Sequence, residues 1–101
     1  MQTIEQAALQ AADPLAVKTM AQRAEHLADV VTYIEENYPA AVFTRIELSS
    51  YSGEEILLHG GAEIVRWLGP VKIKPYVDKY MSVETQFRGV RVFSLCESFV
   101  P

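Results

Sequence analysis

Cys96 and His59 carry the most reactive side chains of this sequence. A cysteine thiolate attacks as a nucleophile when a nearby base, such as a histidine, accepts its proton. Cys96 is the only cysteine of the chain, and nothing in its spacing from His59 places the two together. A cysteine on an alternating strand is usually a small buried hydrophobic residue. A functional role for either residue therefore stays open, while the other histidine, His26, is predicted to lie on a solvated helix flank.

The segment His59-Gly60-Gly61 is similar to part of an esterase oxyanion loop, in which glycines let backbone N–H groups face a developing negative charge. The matching Gly-x-Ser-x-Gly motif is absent from the sequence, so a turn between a strand and a helix is favoured. Glycine-rich nucleotide motifs are also absent, and one cysteine with two histidines offers no zinc-binding spacing. The sequence therefore predicts no catalytic residue, metal or cofactor and favours a protein that is not an enzyme.

Basic and aromatic side chains are interleaved in the second half of the chain. Such a set can bind a phosphorylated small molecule or nucleotide, because the cations neutralise phosphate and the rings stack on a base. The candidate ligand-binding residues are Trp67, Lys72, Lys74, Tyr76, Tyr80, Arg88 and Arg91. The alternative is an ordinary strand surface, on which Asp78 and Glu84 would offset the positive charge.

An acidic face, formed by Glu25, Asp29, Glu35 and Glu36, is expected on the longest predicted helix. The simpler interpretation is the solvated side of an amphipathic helix. The alternative is electrostatic docking onto a basic partner, such as a protein surface that normally holds nucleic acid.

The helix that would carry the acidic face is predicted to run from Pro14 to Tyr38. Asp13 and Pro14 mark its start and Pro39 its end, and an earlier short helix would be capped by Thr3. Apolar residues recur at steps of three and four along it, and they are Val17, Met20, Ala24, Leu27, Val31, Ile34 and Tyr38. Any part of this stripe that extends past the sheet would pair with a second copy, which predicts a homodimer.

The remaining elements are predicted from alternation and turn residues. Residues 42–49 alternate with a period of two, with Val42, Thr44, Ile46 and Leu48 on one buried face, and residues 55–59 are favoured as a returning strand over a helix. A short helix over 62–68 stops at Gly69-Pro70, and residues 71–77 are extended, with Pro75 indicating an edge strand or a bend. Residues 83–93 form a tight hairpin with its turn at Arg88-Gly89.

Length and charge limit the class of protein. The 101 residues fit one domain over 1–101 and carry a formal net charge of −4. The acidic surplus lies in residues 1–51, which disfavours general binding to nucleic acid. The sequence has no apolar run near about 20 residues and no signal-peptide pattern. With a single cysteine, these features predict a cytoplasmic protein that does not span a membrane.

The block GGAEIVRWLGPVKIKP followed by VETQFRGVRVFSL resembles the strand–helix–hairpin end of small accessory proteins encoded by tailed bacteriophages and mobile elements. Many such proteins bind and inhibit a host protein or sequester a signalling molecule. The resemblance implies an inhibitor of a host or anti-phage defence protein that acts in the host cytoplasm. It carries no motif, so no functional residue is transferred from it.

Together these observations predict an α+β fold in which a long N-terminal amphipathic helix packs on a small antiparallel sheet of three to five strands, with one short helix inserted. The predicted function is protein binding, with a host protein or a second copy of the chain as partner. The alternative is a protein that sequesters an anionic small molecule or nucleotide through the basic and aromatic second half.

Overall fold

The computed structural model describes residues 18–97, which form the predicted α+β fold. Two helices and five strands follow one another along this part of the chain. In chain order they are α1 (Met20–Asn37), β1 (Phe43–Ser49), β2 (Gly53–Leu58), α2 (Ala62–Leu68), β3 (Lys72–Pro75), β4 (Tyr80–Phe87) and β5 (Val90–Glu97). The helix predicted after Thr3 lies outside the described residues.

Helix α1 begins later than the sequence analysis predicts. Thr19 has an extended backbone (φ −72°, ψ 164°), and its hydroxyl accepts a hydrogen bond from the Gln22 N–H. The Gln22 side chain in turn accepts from the Thr19 N–H, which completes a capping box. An extended residue ends helical geometry, so the helix predicted to run unbroken from Pro14 begins at Met20 instead. Pro14 itself lies outside the described residues.

The five strands form one sheet in the order β1-β2-β5-β4-β3. Three neighbouring pairs are antiparallel, as predicted, but the central pair β2–β5 is parallel. Parallel neighbours need a crossover connection, and here α2, β3 and β4 lie between the two strands in the sequence. The sheet is therefore mixed, and its edge strands are β1 and β3.

Both helices pack on the same face of the sheet. From α1, the side chains of Leu27, Val30 and Ile34 are 6%, 1% and 0% exposed. They join Val65 of α2 and a row of valine, isoleucine and leucine side chains from β2, β4 and β5 in one core. This row includes Ile56, Leu58, Val83, Val90 and Val92.

The buried stripe of α1 differs from the predicted one. Met20 and Ala24 are exposed, whereas Val30 is buried although the prediction omits it. The reason is that two polar residues take up the sheet-facing positions in the first half of the helix. Arg23 is bonded to Glu54, and His26 contacts the Arg88 carbonyl. Val17, the first residue of the predicted stripe, lies outside the described residues.

Strand β1 also departs from its predicted alternation. Its register against β2 shifts between Phe43 and Arg45. Leu48 packs against the core as predicted, but Val42 and Ile46 are 54% and 47% exposed, and Phe43 packs against the core instead of Val42. An extra residue in one strand changes which side chains face the core, which explains the exchange of Val42 for Phe43. Ile46 pairs with the core residue Ile56 and stays on the predicted face, but it is exposed because β1 is an edge strand.

Candidate functional site

The sheet face opposite the helices, called the open face below, carries a network of ion pairs. Glu84 lies at its centre and is 7% exposed. Its Oε2 accepts from Arg91 Nε at 2.8 Å, and its Oε1 lies 3.0 Å from Lys74 Nζ. Arg91 Nη1 also donates to Glu55 Oε2 at 2.5 Å, and the guanidinium carbon lies 3.8 Å from the centre of the Phe93 ring. Within this network the two cations balance the two carboxylates.

The ionisation of Glu84 and Arg91 reflects this pairing. The hydrogen bond from Arg91 lowers the pKa of Glu84 below 4.5, against the opposing effect of burial, and Lys74 adds to the lowering. Burial alone would lower the pKa of Arg91, but the bonds to Glu84 and Glu55 outweigh it and raise that pKa. Both groups are therefore held in their charged forms by each other.

The predicted ligand-binding residues do not form one site. By their positions in the strand register, Lys72, Lys74, Tyr80 and Arg91 belong to the open face. Lys72 and Lys74 line a pocket there of about 340 Å³ together with Glu84 and Gln86, but Glu84 already pairs with Lys74 and Arg91.

The other members of that predicted set lie elsewhere. Trp67 belongs to α2, on the helical side of the sheet, and stacks on Tyr38. Arg88 forms the tip of the β4–β5 hairpin and contacts Tyr33 of α1. Tyr76 lies in the connection between β3 and β4 and is 49% exposed. The structure therefore separates these three residues from the lysines of the open face.

The acidic face is exposed as a whole. Glu25, Asp29, Glu35 and Glu36 lie on the side of α1 that is turned away from the sheet. None of them has an ion pair within residues 18–97, although five other carboxylates in the same range do. The one arginine of α1, Arg23, is directed to Glu54 and Ser49. The exposed side of α1 thus carries negative charge without an internal cation.

The end of α1 places two of these carboxylates unfavourably. Glu35 and Glu36 lie in the last turn, which contains no basic residue. The carbonyl end of a helix carries a partial negative charge, so carboxylates there are repelled and cations are favoured. The position is therefore suited to a cation supplied from outside the helix.

An aromatic pair, the partly buried Tyr38 and the exposed Trp67, adjoins this end of α1. Their ring centres are 5.6 Å apart and the planes differ by 20°, and Trp67 is 63% exposed. With Asn37, Glu63 and Ile64 they line a pocket of about 370 Å³. The aromatic pair therefore lies at the carboxyl end of the acidic face, because Tyr38 follows Glu35 by three residues and residues at that spacing are neighbours on a helix.

The segment His59-Gly60-Gly61 is a structural turn. The His59 N–H donates to the Val42 carbonyl at 2.8 Å, and the Gly61 N–H donates to Ser94 Oγ at 3.0 Å. A Cβ on Gly61 would lie 2.7 Å from the Cβ of Leu58, so glycine is required there for close packing. The N–H groups of His59 and Gly61 are already engaged, which favours the turn interpretation over an oxyanion loop.

Cys96 is partly buried and packs against the core, whereas His59 is exposed. No hydrogen bond joins the two side chains in the described part of the chain. Within residues 18–97 there is also no cluster of three or more histidine, cysteine or acidic side chains that could hold a metal ion. None of the helices in that range is long and apolar enough to cross a membrane.

Comparison with known proteins does not assign a family. No protein-family model and no curated protein matches the chain. The function is therefore argued from the charges and contacts of its surfaces.

Proposed function

We propose that this chain is a protein-binding module that docks the acidic face of α1 on a basic surface of its partner. The observation that carries the proposal is the set of four exposed carboxylates on one side of α1, without an ion pair among the described residues. Elsewhere in residues 18–97 most carboxylates are paired, and Glu54, Glu55 and Glu84 each contact an arginine. Glu63 and Asp78 are single unpaired carboxylates on other elements, whereas α1 carries four of them together.

The shape of this side of α1 supports docking. Between Glu25 and Glu36 the other exposed residues are small, namely Ala28 and Thr32. Small side chains let the backbone of a partner come close, while opposite charges steer the encounter and fix its orientation. A long arginine or lysine of the partner would reach a carboxylate without displacing other side chains.

The aromatic pair supplies an apolar anchor at one end of this surface. Tryptophan and tyrosine often dominate binding energy at protein interfaces, because they bury a large rigid area. A cation of the partner would also be attracted to the exposed face of Trp67 and to Glu63, which lines the same pocket. We expect the partner to cover both the acidic face and Trp67.

A partner bound in this way would have its basic surface covered. Inhibition is the expected result where that surface normally holds nucleic acid. The homodimer, the host partner and the phage origin remain predictions. Exposed Met20 and Ala24 leave part of the predicted stripe off the sheet, and light scattering of the purified chain would test self-association.

The proposal is tested by photo-crosslinking in lysate of the source cell. A photoreactive residue is placed at Ala28, within the acidic face, or at Gln86, an exposed position of β4, as the matched control. We expect a protein adduct from position 28 alone, joined through a segment of the partner rich in lysine and arginine. Raising the salt concentration should lower the yield of this adduct, because exposed charges are screened.

The same experiment is repeated with Glu25→Gln, Asp29→Asn, Glu35→Gln and Glu36→Gln combined. We expect the adduct to be lost while the fold is retained. An adduct that survives this neutralisation, equal adducts from both positions, or no adduct at all would contradict the proposal. An adduct with a second copy of the chain would show self-association at this face instead.

A further inference from the structure

A second charged site lies between the start of α1 and the tip of the β4–β5 hairpin. We infer that this cationic pocket, lined by Lys18, Arg23, His26, Glu54, Arg88 and Gly89, binds the phosphate of a small phosphorylated molecule. Its volume is about 500 Å³, within the usual range for small-molecule sites. Among the described lining residues, three cations face one carboxylate. This site is separate from the acidic face and does not depend on the proposed protein partner.

Arg23 and Glu54 form one wall of the pocket and neutralise each other. Arg23 Nε donates to Glu54 Oε1 at 2.7 Å, and its Nη2 donates to the Ser49 carbonyl at 2.8 Å. Because Glu54, the only carboxylate that lines the pocket among residues 18–97, is thereby compensated, the charges of Lys18 and Arg88 remain available. The pocket is therefore positive although the chain as a whole is acidic.

Arg88 is the main candidate for contacting phosphate. Its guanidinium carbon lies 4.5 Å from the centre of the Tyr33 ring and 4.9 Å from that of Phe87. No carboxylate within residues 18–97 pairs with it. Stacking holds the planar group in place, and its N–H donors match the oxygen geometry of phosphate. An arginine held in position without an anion is prepared to receive one.

The hairpin turn is fixed against α1 by His26. Arg88 has a positive φ of 52° and Gly89 one of 80°, as a tight two-residue hairpin turn requires. His26 Nε2 bonds to the Arg88 carbonyl, which only accepts, so this nitrogen carries the proton. The contact joins the two sides of the pocket and holds the turn that carries Arg88 against α1.

A small ligand fits this setting better than a nucleic acid. A long polyanion would meet the repulsion of a chain with net charge −4 and of the carboxylates on the other side of α1. A single phosphoryl group needs only the local charges of Lys18 and Arg88. The site therefore suits a molecule of nucleotide size or less.

The test is a titration of the full chain with pyrophosphate and with adenosine monophosphate, followed by amide chemical shifts in NMR. Ionic strength is held constant with sodium chloride, and chloride alone is the reference. We expect saturable shifts at residues 18–26 and 88–89. Lys18→Gln and Arg88→Gln should each weaken binding at least tenfold, because each removes a charge that contacts phosphate.

Lys72→Gln is the matched control, since it removes an exposed lysine from the open face. We expect it to leave binding unchanged. Shifts that do not saturate, equal shifts with chloride, or equal weakening by Lys72→Gln would overturn the proposal. If Arg88→Gln disturbs the turn, the proposal is tested by Lys18→Gln alone. Lys18 precedes the helix and is exposed, so its substitution should leave the fold unchanged.

Discussion

The open face of the sheet and the acidic face of α1 carry charge in opposite ways. On the open face, Glu84 and Glu55 share Arg91, and Glu84 also contacts Lys74. On α1, four exposed carboxylates have no such partner within the described residues. Paired and partly buried charges serve the fold, because each compensates the cost of burying the other. Unpaired charges on a rigid helix are available to a partner.

The strongest test of this comparison is the removal of Arg91. Arg91→Ala would leave Glu84, 7% exposed, and Glu55 without their guanidinium. We expect the free energy of unfolding to fall by about 2 to 4 kcal/mol, because uncompensated buried charge is costly. Urea denaturation measures the change.

Arg45→Ala is the control for Arg91→Ala. Arg45 pairs with Glu47 at 3.4 Å, and both side chains are more than two-fifths exposed, at 48% and 43%. Exposed pairs contribute only about 0 to 1 kcal/mol, so the loss should be small. Similar losses for the two variants would remove the distinction between structural and surface charges.

The ionisation of Glu84 in the same network should make a smaller contribution to stability, and this contribution depends on pH. The pKa of Glu84 is lowered in the folded protein, so the unfolded chain binds this proton more readily. The stabilisation is present above the ordinary value of 4.5 and is lost as the pH falls through the lowered folded value.

Glu84→Gln isolates this contribution. At neutral pH we expect the variant to be less stable than the natural chain by about 1 to 2 kcal/mol, since hydrogen bonds to a charged group are lost. The difference should narrow on acidification below pH 4.5, as Glu84 becomes protonated. Urea midpoints measured from pH 7 to pH 3 test it, and a difference that stays constant would show that the charge of Glu84 is not what stabilises the fold.

Local signals in the sequence predicted much of the fold. The Arg88-Gly89 turn and the stop at Gly69-Pro70 each depend on residues next to one another, and both elements are found as predicted. The signal for the start of α1, the Thr19–Gln22 capping box, is present in the sequence. The prediction places the start at Asp13-Pro14 and does not include this signal.

Long-range pairing could not be predicted from such signals. The parallel pairing of β2 with β5 places Glu55 opposite Arg91. The two strands are not joined by a tight turn, so no local sequence signal predicts that they are neighbours. The cationic pocket likewise joins His26 to Arg88, 62 positions apart. The position of one pocket residue, Arg23, can be predicted from the sequence. Arg23, Leu27, Val30 and Ile34 follow one another at steps of four, three and four. This spacing places Arg23 on the sheet-facing side of α1.

The smallest expected effect concerns the acidic face, and it is a gain in stability rather than a loss. Glu35→Gln combined with Glu36→Gln should raise the free energy of unfolding by about 0.3 to 1 kcal/mol, because both carboxylates are repelled by the carbonyl end of the helix. Glu25→Gln combined with Asp29→Asn, further from that end, is the control and should change stability less. A loss of stability in the first variant would mean that these carboxylates have favourable contacts within the chain. A gain, with loss of the partner adduct from position 28, would mean that the chain retains an unfavourable charge arrangement for the sake of binding.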